Sequence, residues 1–155
     1  MKGRPWFFPL LFLFAFILFS GEAADAAALP KGKTIAVLVR GTPSHGAAVR
    51  SILTRALLEG GYRAVDEQQL ERIRRSKAAA LALEGDVDAI LQLGKSFGFS
   101  VLLSGTVTVP KAVKNEFGLF TATAALSITA CSAADGRQIL AVTESAKEIG
   151  YTPEE

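Results

Sequence analysis

The sequence predicts an α/β (α+β) domain, a mixed sheet of about five strands with helices packed on it in the order β-α-β-α-α-β-β-β. Three observations carry this. "TIAVLV" is a continuous β-branched run, as in a strand buried on both faces. Apolar residues then recur at helical spacing between residues 45 and 97. After Gly98 the period drops to two and stays there. The early strand-helix-strand unit favours parallel pairing through a right-handed crossover, and the later strands favour an antiparallel meander.

"KTIAVLVR" (33–40), bounded by "KGK" and "GTPSHG", is the first and central strand. From His45 onward, Val49, Ile52, Leu53, Ala56 and Leu57 form one helical stripe, Arg50 and Arg55 point elsewhere, and Gly60-Gly61 supplies the stop. Residues 62–65 make a short strand ending at Asp66, which caps a second helix with Gln69 as its capping partner. That helix buries Leu70, Ile73, Ala80 and Leu81 and breaks at "EGD" (84–86). Asp86 caps a third helix through Val87, Ile90, Leu91 and Phe97, with Gly94 and Gly98 punctuating its end. "SVLLSGTVTVP" (100–110) is the next strand, and "KAVKNEFG" is a polar connection. "LFTATAALSITACSA" then alternates. Phe120, Ala122, Ala124, Leu126, Ile128 and Ala130 lie on one face; Thr121, Thr123, Ala125, Ser127, Thr129 and Cys131 lie on the other. Asp135-Gly136 marks the hairpin turn, and "QILAVTES" returns. Thr152, Pro153 and Glu155 carry the cap, first-turn and capping-box signals of a closing helix, so the chain is expected to be truncated before that helix is complete.

Residues 1–26 read as a signal peptide: Lys2 and Arg4 precede an apolar run from Trp6 to Phe19, and "ADAA" offers a small-x-small cleavage point. The run is shorter than the roughly 20 residues of a spanning helix, and the "SGEAADAAA" after it lacks the cysteine of a lipid anchor. Residues 27–32 are a linker, and 33–155 form a single periplasmic domain. Removing 1–26 takes away two bases and two acids, so the exported chain keeps the net charge of +2, too balanced to imply a nucleic-acid partner. Cys131 is the only cysteine, which rules out an intramolecular disulfide.

Candidate chemistry is sparse. His45, the only histidine, sits in the loop after the first strand, where α/β proteins often bind ligands, but no nucleophile or orienting acid can be assigned to it. Neither nucleotide-binding glycine pattern is present. Cys131 reads as an inert thiol, and Asp86 and Asp88 read as helix-start residues. Arg72, Arg74, Arg75 and Lys77, with Arg63 nearby, read as a solvated basic face. No catalytic, cofactor-binding or metal-binding residue is expected, and no small-molecule substrate.

"TIAVLV", "ILTRALLEGGYRAVDEQQLERI", "LGKSFGFSVLLSGTVTV" and "LSITACSAADGRQILA" together resemble the curli-secretion-channel-like (CsgG-like) superfamily of envelope proteins. Its relatives include the outer-membrane activator of penicillin-binding proteins, a flagellar-assembly periplasmic protein and the TolB N-terminal domain. The resemblance covers residues 33–150. It departs from the family where "GFS" replaces the usual Gly-Ala/Val-Asp, in the missing lipid-anchoring cysteine, and in the missing membrane-hairpin insertions. It implies a domain without an active site that contacts protein partners in the periplasm, in association with the outer membrane. The function expected is a non-enzymatic exported interaction module in envelope assembly (secretion, flagellar or wall-synthesis related). Its partner is an envelope protein or further copies of itself. The alternative is a subunit of an oligomeric outer-membrane channel of curli type, favoured by strands long enough for the 9 to 11 residues of a barrel strand but disfavoured by the alanine-rich face. The resemblance also places a closing helix after the hairpin, with "IGYTPEE" at its start.

Overall fold

The computed structural model describes residues 29–151; the expected signal peptide (1–26) and the expected closing-helix start from Thr152 to Glu155 lie outside them. The strands are β1 (Thr34–Arg40), β2 (Arg63–Ala64), β3 (Val101–Thr108), β4 (Val113–Lys114), β5 (Phe120–Ser132) and β6 (Gln138–Gly150). Helices α1 (Pro43–Glu59), α2 (Glu67–Arg74), α3 (Lys77–Leu83) and α4 (Val87–Phe97) lie between β1 and β3. The sheet is open and mixed. β1 pairs in parallel with β2 and β3, while β5 pairs antiparallel with β3, β4 and β6. Because β6 pairs along β5 from Phe120 to Cys131, β4 shares the β3 edge of β5. The fold class is as expected, with one short strand and one helix more.

β1 is central because both of its faces are apolar. Ile35 and Val37 meet Val49, Leu53 and Leu57 of α1 on one side. Ala36 and Leu38 meet Leu70 and Ile73 of α2 and Ile90 and Leu93 of α4 on the other. The first core continues through Leu103, Val107, Leu126, Ile128 and Ala130, the face expected of the alternating strand. Leu29, in the expected linker, is also buried in it.

Four readings are corrected. The helix expected from Asp66 to Leu83 is two helices, because Ser76 caps a fresh start: its hydroxyl accepts from the Ala79 N–H at 3.2 Å. The break resets the helical phase, so Ala79 and Ala82 are buried and Ala80 and Leu81 are exposed. Asp66 does accept from the Gln69 N–H at 2.9 Å, but the Gln69 amide does not reach back to it; it donates to the Phe97 carbonyl and ties α2 to α4. Gly94 is a contact residue rather than a stop. A Cβ there would lie 2.5 Å from the Ala133 Cβ, so its absence lets α4 approach the β5–β6 turn. β6 is also longer than the expected return strand, carrying Ile149 and Gly150 within the ladder.

Candidate interaction surface

The residues that sequence chemistry singles out are scattered and structurally employed. His45 starts α1. Its Nδ1 lies 2.7 Å from the Thr42 hydroxyl, which also accepts from the His45 N–H as the helix cap. Thr42 and Pro43 are the local signal that moves the helix start ahead of His45. The crevice where a doubly wound sheet would bind a ligand lies between the C-terminal ends of β1 and β3. Gly41 packs closely on β3 there: a Cβ on it would collide with the Val107 side chain and meet its carbonyl oxygen at 3.0 Å.

Cys131 is half-buried at the margin of the second core, and burial pushes its thiol above the ordinary value, which leaves little reactive thiolate near neutral pH. Asp86 accepts from the Ala89 N–H at 2.8 Å, and Asp88 lies in the first turn of α4, where negative charge opposes the helix dipole. Arg74 and Arg75 share Glu71 at 2.8 and 3.6 Å, and Arg72 and Lys77 are exposed. Among the described residues, no group of three His, Cys, Asp or Glu could hold a metal ion. No helix among them is long and apolar enough to cross a membrane.

The feature that stands apart is the β5–β6 hairpin. Each strand has 13 residues, whereas β3 pairs only with positions 125–132 of β5. Residues 120–124 and their β6 partners 146–150 therefore project past β3 as an arm, flanked on the inner side only by the two residues of β4. At the arm's end Val113, Thr121 and Ile149 stand directly opposite one another, which puts their side chains in one row on one face. Asn115 shapes the adjoining turn: its side-chain oxygen accepts from the N–H groups of Phe117 and Leu119, each at 3.0 Å, and its own N–H donates to the Leu119 carbonyl. Gly118 takes φ +79° there. This turn holds Phe117 outward.

The tip is apolar and open. Val113 is 69% exposed, Phe117 79%, Ile149 58% and Tyr151 82%, while large apolar side chains elsewhere are mostly inside. Lys114 sits 5.8 Å from the Phe120 ring centroid, so a cation borders the patch. "KAVKNEFG", read as a polar connection, supplies much of this surface. The signal was Phe117 itself, an aromatic in a turn with no periodic partner.

Beyond the tip, the outer edge of β6 pairs with no strand among the described residues. Exposed edges invite a further strand, and proteins usually blunt them with charge or bulges. Here Glu144, Lys147 and Glu148 lie along the edge strand, with one irregularity at Ala130/Cys131. The hydroxyl face carries Ser127 and Thr143, 3.1 Å apart and exposed, where helices α2 to α4 do not reach.

Residues 34–155 match the model of the family described as TP0693-like lipoprotein, C-terminal domain. No curated protein matches the chain. Among solved structures, lipoprotein GNA1162 from Neisseria meningitidis is similar at 18% identity, with a TM-score of 0.59 over 77% of this chain and 84% of that one. The LpoB C-terminal domain from Salmonella enterica matches at 18% identity and a TM-score of 0.54, over 92% of this chain and 98% of that one. The Escherichia coli domain matches at 18% and 0.53, over 85% and 93%. At this identity the likeness is one of fold. In fold, the penicillin-binding-protein-activator part of the resemblance read from the sequence fits, and the curli-channel and TolB parts rest on the sequence alone.

Proposed function

The chain belongs to the TP0693-like lipoprotein family through its C-terminal domain, and from that premise we propose a non-enzymatic, exported module that binds a protein partner during assembly of a cell-envelope structure. The carrying observation is the arm: a long edge strand and a shaped apolar tip, projecting from a domain whose histidine and cysteine serve packing and capping. A strand edge offers main-chain hydrogen bonds to an extended segment, and the tip offers anchor side chains that select the partner. The lipoprotein kinship supports an envelope location. Cys131 is the last residue but one of β5, inside the folded domain, so it is not a lipid-bearing N-terminal cysteine.

The test is site-specific photo-crosslinking in the native host. A crosslinker at Phe117 or Ile149 should capture an envelope protein that one at Leu58, an exposed residue of α1, does not. Equal capture from all three positions, or none from the arm, would refute the arm as docking surface.

A second reading is favoured by strand length alone. Thirteen-residue strands exceed the about 9 to 11 that a membrane barrel needs, so an oligomeric channel of curli type is the alternative. Against it, β6 carries Glu144 and Glu148 on one face and Lys147 on the other, which would place a charge against lipid whichever face turned outward. Release of the exported chain by osmotic shock without detergent is the expected result; ring-shaped oligomers with ion conductance would favour the channel.

A further inference from the structure

At the end of the sheet opposite the arm tip, a groove of about 390 Å³ runs between the start of β1, the end of α4 and the β5–β6 turn. Its floor is apolar, with the buried Phe99, Val101 and Ala133 and the half-buried Ile139. Its rim carries Lys33, Lys95 and Arg137, three cations from three separate segments, and among the described residues no acidic side chain lines it. Asp135 is the nearest acid in sequence, and its 4.0 Å approach to Arg137 joins two side chains that are 60% and 78% exposed, too loose to neutralise the rim. Lys33 and Lys95 have no ion pair among the described residues. The carbonyl end of α4 contributes a partial negative charge nearby, which Lys95 in the last turn offsets.

We propose that this groove binds an acidic peptide segment of a protein partner, with carboxylates on the cationic rim and a small apolar side chain on the floor. The three cations line one groove and so act on the same bound ligand, and their contributions reinforce one another. The amphipathic lining selects among anions. A bare phosphate would leave the half-buried Ile139 uncovered, whereas a short peptide covers it and reaches the rim. This site is distinct from the arm, so a domain docked through its tip keeps the groove open to a second contact. The inference deepens the protein-binding reading but can stand or fall without the arm.

The experiment measures fluorescence anisotropy of a labelled peptide of about ten residues alternating Glu and Ala, titrated with the exported chain; a Lys-for-Glu peptide and vesicles containing phosphatidylglycerol serve as comparators. Saturable binding of the acidic peptide is expected, weakened about tenfold or more by the triple substitution Lys33→Ser, Lys95→Ser, Arg137→Ser. The single exposed change Lys95→Glu should weaken it in the same direction, which guards against misfolding of the triple variant. Arg72→Ser with Lys77→Ser, on the basic face of α2 and α3, should leave binding unchanged, as should Phe117→Ser with Ile149→Ser at the tip. Loss of equal size from the α2–α3 pair would show diffuse attraction and overturn the site. No binding of the acidic peptide, or groove-dependent binding of vesicles alone, would overturn it as well.

Discussion

Gly136 stands at the β5–β6 turn with φ +71°, and a Cβ there would run into Val87 at the start of α4. Gly136→Ala therefore meets both a left-handed backbone penalty of about 1–2 kcal/mol and a steric one, and should lower the urea midpoint without changing the slope. Gly94→Ala pits a helix-propensity gain of about 1 kcal/mol against overpacking of about 1–3 kcal/mol toward Ala133, so destabilisation should win. Cys131 should alkylate far more slowly in the folded chain than in urea. Its raised pKa also fixes a sign. Above the ordinary thiol value the unfolded chain loses a proton that the folded chain keeps, so this contribution to stability is complete below that value and falls as pH rises through the folded pKa. Stability measured from pH 7 to pH 10 should decline more in the wild-type chain than in Cys131→Ala. At this scale the sequence was partly legible. The Asp135-Gly136 turn could be read from the dipeptide, whereas the role of Gly94 depends on an approach by Ala133, distant in the chain.

The helices begin where the caps say they do. Asp66, Ser76 and Asp86 each accept from the N–H three residues on, and replacing Asp86 by Ala should cost about 1 kcal/mol in chemical unfolding. Asp86 is the sharper test, because α4 supplies Ile90 and Leu93 to the core while α3 is a short connector. Element identity was legible wherever one period ran uninterrupted, as in β1 and α1. It failed across Arg75-Ser76, where a continuous apolar pattern concealed a cap and a change of phase that left Leu81 outside. The length of β6 was hidden for another reason. "AKEIG" has weak strand propensity, and it pairs because the long β5 is already there as a template.

Taken whole, the molecule is a two-sided core with a projecting hairpin, and its parts should respond differently to substitution. Ile128→Ala, at the centre of the first core and 1% exposed, should cost about 2–5 kcal/mol in urea unfolding. Phe117→Ser with Ile149→Ser, at the exposed tip, should change stability by no more than about 0.5 kcal/mol per site. The alternation that buries Leu126, Ile128 and Ala130 could be read from sequence. The arm could not, because it arises from a mismatch in length between β3 and β5 that no single segment records. The central claim is that the tip docks a protein. Its most direct test is the affinity of the partner captured at Phe117, measured for the wild-type chain and for the Phe117→Ser/Ile149→Ser variant at matched thermal stability. A loss of about tenfold or more with an unchanged melting temperature is the result expected if exposed anchors carry the contact. Equal affinity for both chains would contradict it.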